Sequence, residues 1–358
     1  MSEIQIKIEQ AKILSLQKKY EESLELYLEL ENSNIEIDDY NRAKIYAGIG
    51  NIYRTELQFS KAIKYFHKAL DFSSTNKLAL KGIANSYRGI KDRQQELSWW
   101  LKYIEVDNKD FLALTRIADV YRNLGNLGKA EQYYLMTLDN QSTNKFALMG
   151  LGDLYYKCKN YDQALIYWEQ LLDLYPEFIN IITMVGNIYR LRKDFPKAME
   201  YYQKAYKSSS NNNFVLYGIA DTLRGSKQYA ESIYFWKELL ERDSENPKIL
   251  TRIADIYFAL EQYDEAEVQY NLAWTKFQDK YGFVGRIRIA IYKKQFEEAY
   301  SMLLELLSMY GKDTRIVMLS IDMLVTIGKS REISSILSNY MEISMNMDVS
   351  NYLSKIIV

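Results

Sequence analysis

The chain has one cysteine, one histidine and three prolines in 358 residues, and each scarcity removes a class of protein. Cys158 alone cannot build a disulfide framework or a cysteine-cluster metal site. His67 alone leaves no histidine triad for a metal. Three prolines and 15 glycines supply little of the turn punctuation of a β-rich fold. Neither sign of charge is in surplus: 46 basic against 47 acidic side chains leave a net charge of −1, with a pI near 6.1. The electrostatic footprint of a nucleic-acid binder is therefore missing. No apolar run approaches the roughly 20 residues of a membrane span. The first residues, MSEIQIKIEQ, alternate charge with Ile and lack the apolar stretch of a secretion signal. The expectation is a cytoplasmic chain with no cofactor, no metal, no nucleic-acid partner and no membrane insertion.

Hydrophobic residues make up 48% of the chain, ample for burial, and charged residues 26%, ordinary for a globular protein. Length alone suggests two or three globular domains. The 32 tyrosines are unusual. Tyr, Ile, Lys and Asn share AT-rich codons, which suggests an AT-rich bacterial genome.

The stretch LTRIADVY at 114–121 returns as LTRIADIY at 250–257, 136 residues later. A register begun at Ala43 and advanced by 34 makes that distance four steps. Seven repeats, starting at 43, 77, 111, 145, 179, 213 and 247, run to Lys280 without a gap. The eighth place of each holds a small residue: Gly50, Ala84, Ala118, Gly152, Gly186, Ala220, Ala254. The eleventh holds Tyr53, Tyr87, Tyr121, Tyr155, Tyr189, Leu223, Tyr257, and the twentieth Ala62, Glu96, Ala130, Ala164, Ala198, Ser232, Ala266. The twenty-fourth holds Phe66, Trp100, Tyr134, Trp168, Tyr202, Trp236, Tyr270. Places 4, 7, 8 and 11 form one helical face and 20, 24 and 27 another, with turn residues such as KCKNYD and NLGNLG between them. Each repeat therefore reads as two antiparallel helices. Small residues at places 8 and 20 let the two approach, and the aromatics at 11 and 24 fill the space between one pair and the next.

The repeat at 145–178 carries Leu148, Leu151, Gly152, Tyr155, Ala164, Trp168, Leu171 and Pro176. It resembles the tetratricopeptide repeat (TPR), and the match recurs in phase seven times. The resemblance implies an all-α, right-handed superhelical solenoid of helix-turn-helix repeats. First helices would line a concave inner surface and second helices the outside. Strictly it covers 43–280. Residues 1–42 are expected to hold a degenerate TPR-like pair, around KKYEESLELYLEL, and a short insertion at DDYNR. Residues 281–313 read as an eighth repeat with one residue deleted in its turn, YKKQFEEA against YKCKNYDQA. Residues 314–358 read as a worn helix pair and a capping helix, since end repeats face water on one side.

The 136-residue echo extends beyond one peptide: 43–144 and 179–280 share about 36 identities in 102 places. A duplicated four-repeat block accounts for it, with slow drift and no present role as the plain alternative. Inside the block runs a polar column. Place 9 is Asn51, Asn85, Asp119, Asp153, Asn187, Asp221 and Asp255; place 12 is Arg54, Arg88, Arg122, Tyr156, Arg190, Arg224 and Phe258. Three residues apart, the two places are neighbours on a helix. The resemblance implies that places 2, 5, 9, 12 and 13 supply the inner surface. Asn pairs a donor and an acceptor on a short arm, suited to an extended peptide backbone, and Arg offers a fork for carboxylates. Lys81, Thr115, Met149, Thr183, Tyr217 and Thr251 at place 5 would tune the choice of segment. The alternative use is internal: Asp119 with Arg122, or an Arg at place 12 with the Asn or Asp of the next repeat, such exposed pairs being worth under ~1 kcal/mol.

The carboxylate clamp by which TPR co-chaperones capture a C-terminal carboxylate is rejected, because Asp119, Met149 and Asp153 stand where Asn, Lys and Arg are wanted and acids there repel a carboxylate. No phosphate loop is present; GNLGK at 125–129 has the wrong spacing. Catalysis is not expected. The expected function is a protein-interaction scaffold that takes a partner peptide or helix in the concave groove. The alternative is a structural part of a larger bacterial assembly, such as an envelope, secretion or motility apparatus, packing through its outer face or ends. The tail MEISMNMDVSNYLSKIIV is expected to seal the last pair, with homodimerisation through it as the other reading.

Overall fold

The computed structural model of the chain describes residues 3–33, 35–338, 349 and 352, and among these no strand occurs. The chain divides into two compact units, Met1–Glu177 and Phe178–Val358, which we call the N-terminal and C-terminal halves. The N-terminal half holds α1 (Glu3–Leu16), α2 (Tyr20–Glu31), α3 (Asp39–Thr55), α4 (Phe59–Phe72), α5 (Lys77–Ile90), α6 (Arg93–Val106), α7 (Phe111–Asn123), α8 (Leu127–Asn140), α9 (Lys145–Lys157) and α10 (Tyr161–Leu174). The C-terminal half holds α11 (Ile179–Leu191), α12 (Phe195–Ser208), α13 (Asn213–Gly225), α14 (Tyr229–Arg242), α15 (Pro247–Ala259), α16 (Tyr263–Phe277), α17 (Lys280–Tyr292), α18 (Phe296–Tyr310), α19 (Thr314–Thr326) and, after a 3-10 turn at Ser330–Glu332, α20 (Ile333–Ser338).

The helix ends follow from polar punctuation. Asn76, Asp110, Asn144, Asn212, Asn246, Asp279 and Asp313 sit just before first helices, and each side chain accepts a hydrogen bond from a free N–H of the first turn. At place 15, between the two helices of a pair, the backbone turns through positive φ at Lys18, Leu57, Lys91, Lys159, Lys193, Lys227, Glu261 and Lys294, and at Gly125 and Gly328. This left-handed residue closes the first helix and reverses the chain.

Within each half, the pairs from α1–α2 to α9–α10 and from α11–α12 to α17–α18 pack first helix on second, and each second helix packs on the first helix of the next pair. First helices of successive pairs also touch, as α1–α3, α3–α5 and α7–α9 do in one half and α11–α13 and α15–α17 in the other; second helices have no comparable contact among the described residues. The first-helix side is thus the tighter, inner side of each stack.

Place 24 is the centre of the packing. Phe66, Trp100, Tyr134, Trp168, Tyr202, Trp236 and Tyr270 are all buried to 1% exposure or less. Removing such a ring from a core costs about 3–5 kcal/mol. From Trp100 on they alternate Trp and Tyr, and place 6 alternates with them. Where the preceding ring is Phe or Tyr, place 6 is Gly82, Gly150, Gly218 or Gly285, and a Cβ there would lie 2.2, 2.3, 2.2 or 2.1 Å from the ring of Phe66, Tyr134, Tyr202 or Tyr270. After a Trp, place 6 is Arg116, Met184 or Arg252. Place 11 does something narrower than filling space between pairs: Tyr53, Tyr121, Tyr155 and Tyr189 stack on Tyr65, Tyr133, Tyr167 and Tyr201 of their own pair, with centroids 5.5–5.7 Å apart.

Two expectations at the ends of the repeat array are corrected. DDYNR is no inserted loop: Asp38 caps α3, and Asp39–Arg42 add an N-terminal turn to it. The residue missing from the eighth repeat is lost in the link before it, not in its turn. Two residues, Gln278 and Asp279, join α16 to α17 where four join α14 to α15, while the turn 293–295 keeps its length. The repeat therefore starts at Lys280, which puts Gly285 at place 6 and Lys294 at place 15. The worn last pair is present as α19 and the short α20. The expected capping helix and dimerising tail fall, apart from Val349 and Tyr352, outside the described residues.

Candidate partner-binding face

The polar column lies on the first helices, and most of it is occupied in holding the stacks together. Asp119 accepts the Tyr134 hydroxyl at 2.6 Å, Asn187 that of Tyr202 at 2.8 Å and Asp255 that of Tyr270 at 2.6 Å. Burial first, and the adjacent carboxylate second, push the Tyr134 and Tyr270 phenols far above the ordinary tyrosine range, so each stays a donor. The pairs with Trp at place 24 differ: the indole N–H groups of Trp100, Trp168 and Trp236 are buried with no acceptor among the described residues. In two of those pairs the place-9 acid is free to take an arginine from the preceding pair. Arg122 donates to Asp153 at 2.9 Å, and Arg190 donates to Asp221. Asp221 also holds Arg224 at 2.7 Å and is itself buried.

The remaining members are as local. Asn51 accepts from Arg54 at 2.8 Å, and Asn85 donates to the Lys81 carbonyl. Lys81 pairs with Asp110 at 2.6 Å, and Arg88 is exposed. Thr115 and Thr251 are buried and donate back to the carbonyls of Phe111 and Lys248. Tyr217 stands edge-on to Trp236, 4.7 Å between centroids. Arg116 and Arg252 lie 3.7 and 3.9 Å from Asp119 and Asp255. The Thr, Arg and Asp of the repeated LTRIAD peptide thus each have a present structural use. His67 is exposed, with its ring edge on Trp99, and Cys158 is exposed at the end of α9. No group of three or more metal-ligating side chains forms among the described residues, and no helix there is long and apolar enough to cross a membrane.

Open space nevertheless remains on the first-helix side of both halves. In the N-terminal half a cavity of about 370 Å³ is lined mainly by α1, α3 and α5, through Ile8, Leu16, Lys44, Ala47, Asn51 and Leu78. Place 2 beside it is an apolar stripe, with Leu78, Leu112 and Phe146 all exposed. In the C-terminal half a cavity of about 440 Å³ opens on α13, α15, α17 and α19. Its charged lining is Lys248, Arg252, Arg288 and Arg315 against Asp255 alone. Sequence reading placed none of these four cations among its candidate site residues. With the eighth repeat begun at Lys280, Arg288 occupies place 9, where the seven earlier repeats have Asn or Asp, and Arg315 occupies place 2. A larger cavity, about 670 Å³, lies on the second-helix side between α12 and α14 and is mainly apolar, with Phe195, Met199, Tyr206, Leu223 and Phe235.

Sequence profiles of the tetratricopeptide repeat match residues 43–76, 112–135, 146–178, 179–212 and 223–281. No curated protein matches the chain. Among solved structures, a tetratricopeptide repeat protein from Parabacteroides merdae aligns with a TM-score of 0.53 at 18% identity, over 70% of this chain and 98% of that one. PilF of Pseudomonas aeruginosa aligns at 0.46 and 17% identity over 57% and 95%. YrrB, described as a TPR protein with an unusual peptide-binding site, aligns at 0.44 and 18% identity over 49% and 90%.

Proposed function

The chain belongs to the tetratricopeptide repeat family, and from that premise we propose that it is a non-catalytic interaction scaffold holding a segment of a partner protein against its first-helix side. The observation that carries the reading is the cavity of about 440 Å³ on α13, α15, α17 and α19, which opens at places 2, 5, 6 and 9 of successive first helices. Concave sites with a few placed polar groups are where ligands are held. The bracing role of Asp119, Asp153, Asn187 and Asp221 moves the weight of recognition from place 9 to place 2. There the side chains are less engaged, and Phe214 of α13 reaches 81% exposure.

A photo-crosslinking residue tests the reading. Placed in host lysate at Leu78 or Phe214, both exposed at place 2, it is expected to trap a partner. At Tyr234 or Val268, exposed on α14 and α16, it is expected to trap none. The reverse pattern would overturn the inner-side reading. It would favour the second one, a part packed into a larger assembly through its outer face, for which the apolar cavity of about 670 Å³ between α12 and α14 is the supporting feature.

A further inference from the structure

We infer that the C-terminal half's inner cavity selects an acidic stretch of polypeptide, a run bearing several Asp or Glu side chains; this rests on the first-helix reading above. Charge balance comes first. Four cations line the cavity and one acid opposes them. Asp255 is shared by Arg288 at 3.2 Å and Arg252 at 3.9 Å, and it also accepts the Tyr270 hydroxyl. Lys248 and Arg315 have no carboxylate partner among the described residues; Arg315 rests over the Tyr281 ring, 5.6 Å from its centroid. Elsewhere on the first helices several inter-pair cations do meet an acid: Lys81 meets Asp110, Lys280 Asp313, Arg122 Asp153 and Arg190 Asp221. Four cations to one acid is the balance of this lining.

Spacing favours a chain of carboxylates over a single anion. The four cations come from places 2, 6 and 9 of three successive first helices. Packed helices stand about 8–10 Å apart, so two steps cover about 20 Å. One phosphate cannot reach across that, whereas about six residues of extended chain at roughly 3.3 Å each do. Alternate side chains of such a strand face the same way, which sets acidic groups at intervals along the cations. Tyr217, Tyr281 and Thr251 supply hydroxyls along the lining, and Val284 and Leu319 an apolar floor for the acidic side-chain stems.

The test is fluorescence anisotropy with the full chain and labelled decaglutamate, with decalysine and a thymidine decanucleotide as comparison probes. Decaglutamate is expected to bind at low salt and to be released as salt rises. Lys248→Gln with Arg315→Gln removes two cations that hold no fold contact with an acid, and is expected to weaken binding about tenfold. Asp255→Asn keeps an acceptor for the Tyr270 hydroxyl, removes the one opposing charge, and is expected to tighten binding a few-fold. Circular dichroism of each variant reports the fold. Failure of decaglutamate to bind, indifference to the Lys248/Arg315 change, or equal affinity for the oligonucleotide would each overturn the inference, the last by reassigning the cations to phosphates. If decaglutamate fails while Phe214 still traps a partner, only the acidic class falls; if both fail, the first-helix reading falls with it.

Discussion

Residues 111–178 and 247–313 are the same two-pair segment carried twice, 136 residues apart in the first pair and 135 in the second. The packing parts agree. Tyr134 and Tyr270 each donate to an Asp on the preceding first helix, and Gly150 and Gly285 each receive that ring. Arg116 and Arg252 each lie near the same Asp. Two linked positions differ. Arg122 and Asp153 form an ion pair across the first segment. Their counterparts are Phe258 and Arg288, and the Arg288 guanidinium sits 4.2 Å from the centre of the Phe258 ring. One bracing contact has been exchanged for another of similar worth, since exposed ion pairs and exposed cation–π contacts both contribute about 0.5–1 kcal/mol. The electrostatic outcome is opposite. The first segment gives its arginine an acid at the next place 9; the second puts the arginine at that place and leaves it to share Asp255 with Arg252. A change of two residues that leaves the core alone is enough to turn a structural position into a charged lining.

The largest effect should be common to both segments. Gly150→Ala sets a methyl 2.3 Å from the Tyr134 ring, and Gly285→Ala one 2.1 Å from Tyr270. Neither ring can give way, because its hydroxyl is held by Asp119 or Asp255 and the side chain is buried. Overpacking of this kind costs about 1–3 kcal/mol, against which the better helix propensity of Ala returns a little under 1. A clear loss in denaturant midpoint is therefore expected for both. Arg116→Ala and Arg252→Ala, at the same place behind a Trp, should cost less than about 1 kcal/mol. Equal losses at all four sites would break the Tyr–Gly and Trp–Arg alternation.

A middle-sized effect separates the segments. Double-mutant cycles on Arg122/Asp153 and on Phe258/Arg288 should each return a coupling of about 0.5–1 kcal/mol at neutral pH. Acid should distinguish them. Burial raises the Asp153 carboxyl above its ordinary 3.8, with Arg122 opposing. A carboxyl raised on folding takes up its proton first in the folded chain, so its own contribution becomes more favourable as pH falls towards that value. The Arg122 coupling is lost over the same window because the carboxylate disappears. The Phe258–Arg288 coupling contains no acid and should persist; its disappearance in parallel would mean that Asp255, not the ring, is what holds Arg288.

Much of this was legible before any coordinates. The 34-residue period, the small residue at place 8 and the buried ring at place 24 need only hydrophobic spacing, and every first helix from α5 to α15 starts where the register puts it. The Asn/Asp column was legible as a column but not in its use. Whether Arg122 reaches a guest or Asp153, 31 residues on, depends on the distance between neighbouring pairs, and periodicity along one helix does not state that distance. The place-6 glycines were overlooked because a repeat consensus averages Gly with Arg and hides an alternation of period two. The cation at Arg288 was displaced from the frame by one residue, because a missing residue was charged to the turn after α17 instead of the link before it.

The smallest effect lies in the turns, where the segments differ again. Place 15 is Gly125 in the first pair of one segment and Glu261 in the first pair of the other, both at positive φ. A residue with a Cβ pays roughly 1–2 kcal/mol for that conformation, and Gly returns about 0.5–1 of it through its freer unfolded chain. Glu261→Gly should thus stabilise by about 0.5 kcal/mol from backbone alone. Glu261 also sets a negative charge at a helix C-terminus, where the dipole disfavours it by some 0.3–1 kcal/mol. Lys294, at the same place in the next pair, carries the charge the dipole favours. Lys294→Gly should consequently gain less than Glu261→Gly, and Gly125→Glu should lose about as much as Glu261→Gly gains. Thermal midpoints of the three variants in low salt would read the order, and a larger gain at Lys294 than at Glu261 would show that side-chain contacts, not φ and the dipole, govern these turns.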